Sequence, residues 1–229
     1  MKPSKTLAAP KFRRAAPEAR RAELIEATLR CLRKYGHEGV SVRHISAEAG
    51  VSMGLINHHF PGSASLIAAA YESLATSMLE STRGSAESVA GMPRERLARF
   101  FEASFAPDIV DPRVFRTWLV FWSMVAHSEE MHAVHDRTYA GYRAALESLL
   151  GELAKAVGVP GFRVHPAAIA LSALMDGLWL ELSLNATTFQ ATDAIGLCND
   201  WVAALAVGAF PGLLTHPAGE PPPPVRTRR

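Results

Sequence analysis

From about Pro17 to Phe210, apolar residues recur at three- and four-residue intervals, and no alternating stretch is long enough to specify a strand. The pattern predicts an all-α protein. A first amphipathic helix runs from about Pro17 to Tyr35 on Ala22, Leu24, Ile25, Thr28, Leu29 and Leu32, and Gly36 ends it. A helix over 64–83 then carries Leu66, Ile67, Ala70, Tyr71, Leu74, Met78 and Leu79 inward and connects the N-terminal region to the rest. Gly84 to Pro93 reads as a loop. Helices follow at about 94–106, 112–127 and 130–158. After Val159-Pro160-Gly161 come two more, about 166–185 and 192–210, apolar around much of their circumference. Helices of that kind need a cover, and a second subunit packed over about 166–210 supplies it.

Between the first helix and the connecting one, Ser41 to Phe60 has the spacing of a helix-turn-helix. Ser41 caps a short helix with Val42, Ile45 and Ala49 inward, and Gly50 supplies the left-handed residue that ends it. Ser52 caps a second short helix whose Leu55, Ile56 and Phe60 pack back on the first. One face is left for DNA. The resulting division is a flexible basic arm over 1–16, a helix-turn-helix DNA-binding unit over 17–63, a larger helical body with its dimerisation surface over 64–214, and a disordered Pro/Arg tail over 215–229.

Charge strengthens this division. Residues 1–60 hold eleven Lys and Arg against five Glu, a net +6, whereas the rest of the chain carries −4 of the overall +2. The positive field therefore sits beside the helix-turn-helix and attracts a phosphate backbone to one end of the molecule. Cys31 and Cys198 both lie in apolar helical patterns and suit reduced, buried thiols. No apolar run reaches the roughly 20 uninterrupted residues of a membrane span and no signal core opens the chain, so a cytoplasmic protein is expected.

The basic first helix, the helix-turn-helix ending Ser52-Met-Gly-Leu-Ile-Asn-His-His59-Phe60, and the larger helical body resemble the tetracycline-repressor (TetR) family of bacterial transcription regulators. Trp118-Leu-Val-Phe-Trp122 and Leu174-Met-Asp-Gly-Leu-Trp-Leu180 are similar to the C-terminal domain of the choline-responsive, BetI-type repressors. The resemblance implies a homodimer whose recognition helices enter successive major grooves of a pseudo-palindromic operator, dimerisation through the last two helices, and release by a small-molecule inducer. It brings Arg43, Ser52, Met53, Asn57, His58 and His59 to the DNA face and Ser63 to a phosphate. Asn57 stands where the family often carries an aromatic residue and Ser63 where it often carries lysine. Asn reads adenine bidentately, and a serine at a helix N-terminus still holds phosphate. Gly54 costs helix propensity and suits a close approach to DNA.

For the ligand, Trp118, Phe121 and Trp122 fall on one helix face at i, i+3 and i+4, and the resemblance adds Tyr139, Tyr142 and Trp179. An aromatic cage of this kind attracts a quaternary ammonium such as choline. Asp176, set in an apolar helix, is expensive unless neutralised by an internal arginine such as Arg116 or Arg143, or by a cationic ligand. Two other readings compete: a regulator with no effector, in which these aromatics pack solidly, and a helical enzyme. His127, His132, His135 and Asp136 lack a third ligand at a diagnostic metal spacing and read as surface residues. No phosphate loop, nucleophile elbow or Cys/His pair is present, so no catalytic residue, metal or cofactor is expected.

Overall fold

The first helix sets the frame because its two faces enter different cores. In the computed structural model, which describes residues 17–159, 161–185 and 187–214, α1 spans Pro17–Tyr35. Its Leu24, Ala27 and Cys31 pack with Ile45, Ile56, Phe60 and Leu66 in a small N-terminal core. Leu29 and Leu32 belong instead to the large core of the body. The expected arm over 1–16 and tail over 215–229 lie outside the described residues.

α2 (Val42–Ala49) and α3 (Met53–His59) form the helix-turn-helix. The side chain of Ser41 accepts a hydrogen bond from the His44 N–H, Gly50 ends α2 at φ 65°, and Ser52 accepts from the Leu55 N–H. Between α1 and α2 lies a 3-10 helix, Gly36–Val40, which the hydrophobic pattern did not predict. α4 (Ser63–Glu87) leaves this head and enters the body, with Leu66 in the small core and Ile67, Tyr71 and Leu74 in the large one.

α4 runs through Gly84 instead of ending at 83. Thr82 and Ala86 continue its buried face, and their packing outweighs the roughly 1 kcal/mol that a mid-helix glycine costs. α5 (Pro93–Ser104), α6 (Pro112–Val125), α7 (Glu129–Val157), α8 (Val164–Leu184) and α9 (Ala191–Ala206) complete the body. Asp111 caps α6 by accepting from the Arg113 N–H at 2.7 Å, and Gly158 ends α7 at φ 66°. α9 stops short of the expected 210, with Gly208 at φ 73° beyond it and a 3-10 turn over Pro211–Leu213. Among the described residues there is one isolated β-bridge, Phe162 to Leu214, and no strand. Both cysteines are free and buried.

On α8, Leu171, Met175, Trp179 and Leu182 face the core. Ile169 (48% exposed), Ala173 and Leu184 (64%) line the opposite side, and Leu197 of α9 is 50% exposed. The single chain leaves this stripe uncovered.

Candidate functional site

In the head, Arg43, Ser52, Met53, Asn57 and His58 are exposed, and His59 and Ser63 are half-buried. Met53 is 55% exposed and lies outside the small core of the head. Ser52 is already engaged as the cap of α3, so only part of its hydroxyl's capacity is free. A Cβ on Gly54 would meet nothing nearer than the Ser52 Oγ at 3.9 Å, so nothing inside the chain requires glycine there.

Sequence reasoning missed Arg21. It donates from Nη1 to the His59 carbonyl, and its guanidinium lies over the Phe60 ring at 4.1 Å from the centroid. Arg21 thereby holds the C-terminal end of α3 against α1. Arg30 and Glu48, 2.8 Å apart, tie α1 to α2.

The body holds a cavity of about 120 Å³. Six of the seven residues expected at a ligand site line it: Trp118, Trp122, Tyr139, Tyr142, Asp176 and Trp179. Phe121 does not. It is fully buried, stacked on Tyr71 at 4.9 Å, and backs the cavity wall. The indoles of Trp122 and Trp179 meet edge-on at 6.0 Å, and Trp118 lies 5.9 Å from Trp122. These three rings make a continuous aromatic wall. α4 itself contributes Ala75, Met78, Leu79 and Thr82 to the lining. Met78 and Leu79 were legible as inward positions, whereas Ile109 in the α5–α6 junction carried no sequence signal.

Asp176 is the one carboxylate among the residues lining this cavity. Tyr139 donates its hydroxyl to Oδ2 at 3.3 Å, and among the described residues no arginine pairs with Asp176. Arg116 instead lies against Gly36 at the junction of head and body. Burial raises the Asp176 carboxyl from its ordinary 3.8 to about 6, and the Tyr139 hydrogen bond only partly opposes this. Near neutral pH the cavity therefore holds a largely ionised carboxylate with a phenol beside it and aromatic faces around it. A more open recess, lined also by Val125, His135 and Leu180, shares Trp122, Tyr139 and Asp176 with the cavity.

His135 is not a surface residue. It is half-buried and bonded to Tyr71 at 2.7 Å, whereas His127 and His132 are exposed. Among the described residues no group of three His, Cys, Asp or Glu is placed to hold a metal.

Residues 24–70 match the family described as bacterial regulatory proteins, tetR family, and residues 93–207 match the BetI-type transcriptional repressor C-terminal domain. The HTH-type transcriptional regulator BetI of Burkholderia thailandensis is 31% identical over 188 residues, covering 82% of this chain and 94% of that protein. The chain belongs to the TetR family. Its body is of the BetI type, and it is a transcription regulator rather than an enzyme.

A transcriptional regulator from Pseudomonas aeruginosa PAO1 has the same TetR-type fold, with a TM-score of 0.81 and 46% identity over 89% of this chain and 98% of that one. A Saccharomonospora viridis regulator, solved in complex with choline, aligns with a TM-score of 0.70 and 21% identity over 82% of this chain and 97% of its own. That second likeness carries the fold alone. With DNA binding as the family's activity, the exposed face of α3 is the surface to weigh against DNA.

Proposed function

We propose that this TetR-family chain is a cytoplasmic, homodimeric repressor released from its operator by a small organic cation, of which choline is the leading example. The observation that carries this reading is Asp176: an ionisable carboxylate in an aromatic cavity, with a phenol on one oxygen and no protein cation among the described residues. A cationic ligand supplies the missing charge. Each aromatic face adds roughly 0.5–2 kcal/mol toward such a ligand. Size narrows the class, because an apolar cavity of about 150 Å³ takes a benzene ring. A cavity of about 120 Å³ suits a ligand of similar heavy-atom count.

The open cavity also argues against a regulator with no effector, which would have packed these rings solidly. Titration calorimetry of choline into the DNA-free protein tests the reading. Saturable heat that disappears in Asp176→Asn supports it, and no heat with choline or betaine aldehyde counts against it.

On the DNA side, Arg43 contacts guanine or phosphate, while Met53, Asn57, His58 and His59 read or flank base edges from α3. Ser52 and Ser63 hold phosphates, Ser63 at the start of α4, whose N-cap Gly62 offers no side-chain hydrogen bond. Gly54→Val is expected to abolish operator binding in a mobility shift while leaving the helical circular-dichroism signal unchanged. Retained binding would show that Gly54 does not lie close to DNA.

The exposed stripe of α8 and α9 is read as the dimer interface. Among the described residues α8 is the one helix long and apolar enough to cross a membrane, and it is 33% buried over its most apolar window. Asp176 in its middle would cost roughly 2.5–3.5 kcal/mol there, which favours a protein interface over lipid. Switching needs only a ligand that prefers one of two head spacings. Two α3 helices read successive grooves when they stand about 34 Å apart. α4, which lines the cavity and begins in the head, is the element that alters that spacing.

A further inference from the structure

A side-chain contact outside the cavity lining joins it to the helix that reaches the head. Tyr71 lies on α4 and is fully buried, stacked on Phe121 and meeting Trp118 edge-on at 5.3 Å. Its hydroxyl and Nδ1 of His135, on α7, are 2.7 Å apart. The His135 ring lies against Tyr139 with centroids 4.3 Å apart, and Tyr139 is the phenol bonded to Asp176. The chain of contacts therefore runs from Asp176 on α8, through two side chains of α7, to α4.

Burial holds the Tyr71 phenol up at about 12 and pushes His135 below its ordinary value. Near neutral pH the phenol keeps its proton, and with the imidazole neutral in its Nε2–H tautomer the hydroxyl donates a hydrogen bond to Nδ1. Ring packing alone would be served by phenylalanine at 71, since a buried hydroxyl is costly unless it is paired.

Resting on the reading that a cavity ligand releases the operator, we infer that Tyr71 is a positioning residue for DNA binding, its hydrogen bond to His135 holding α4 against α7 in the operator-binding arrangement. A ligand that contacts Tyr139 and Asp176 displaces the ring on which His135 rests and loosens that bond. The coupling is then carried by two groups whose interaction a double-mutant cycle measures directly.

The test compares operator affinity of the ligand-free full chain, by fluorescence anisotropy at one fixed salt concentration, for wild type, Tyr71→Phe, His135→Leu and the double variant. Active protein is counted by stoichiometric titration with operator, and thermal unfolding is followed in parallel. Each single variant is expected to weaken binding about three- to tenfold, and the double variant no further than the weaker single. His135→Gln, whose amide oxygen accepts from the phenol, is expected to restore affinity to within about twofold. A Tyr71→Phe protein that binds operator as wild type does, or two losses that multiply in the double variant, would overturn the inference. Choline calorimetry on the wild type is a separate arm: no heat there retires the cationic inducer, while the operator cycle still decides the role of Tyr71.

Discussion

A carboxylate on the cavity side of an apolar helix raises the free energy of the folded chain wherever it is ionised. Asp176 titrates near 6 in the folded protein against an ordinary 3.8, so the folded form binds the proton more tightly. Its contribution is neutral below about pH 4 and becomes a cost as pH rises, complete above about pH 6. The shift corresponds to roughly 3 kcal/mol before discounting for residual solvent access. Asp176→Asn is therefore expected to raise stability at pH 7 by roughly 1–3 kcal/mol in urea unfolding, with the gain vanishing near pH 4. The proposed reading expects the same substitution to remove cation binding, so that the stabilised variant is the non-inducible one. In the wild type, choline affinity is expected to be level above about pH 7 and to fall about tenfold per unit below pH 6, as the ligand competes with a proton for the carboxylate. Affinity that stays level down to pH 5 would mean that Asp176 does not meet the ligand's charge.

Most helices were legible because they carry their own signals. Ser41, Gly50, Ser52, Asp111 and Gly158 are local choices that agree with the apolar periodicity around them. Where a boundary was misread, the deciding contact was distant in sequence. α4 continues past Gly84 because Thr82 and Ala86 find a buried setting in the body, a fact the local sequence does not encode. The 3-10 helix before α2 is a similar case. A Cβ on Gly39 would lie 2.5 Å from the carbonyl oxygen of Cys31, so the turn is pressed directly on the backbone of α1. No periodicity announces such an approach. Gly39→Ala is predicted to cost roughly 1–3 kcal/mol of stability, read as a lowered thermal midpoint, because backbone cannot yield as a side chain can. An unchanged midpoint would mean that the turn can lift off α1 freely. The cavity was half legible: its aromatic face follows helical spacing, but the wall from α4 and Ile109 emerges only when the helices pack.

At the scale of the whole molecule, the proposed reading gives the ligand signal to one unit and the DNA contact to another, and two helices have residues in both. α1 places residues in both cores, and α4 begins in the head and lines the cavity. In the proposed reading a second copy covers the exposed stripe of α8 and α9 and sets the distance between two heads. Ile169→Glu, at an exposed position of that stripe, is expected to yield a folded monomer by size-exclusion chromatography with light scattering and to lose operator binding. A dimer of unchanged mass would place the interface elsewhere.

The central claim, that a small cation in the body releases DNA from the head, is tested most directly by titrating choline into the protein bound to labelled DNA from upstream of its own gene, at constant salt. The account predicts saturable release in the wild type and none in Asp176→Asn, which still binds the DNA. Release that is equal in both proteins would contradict it.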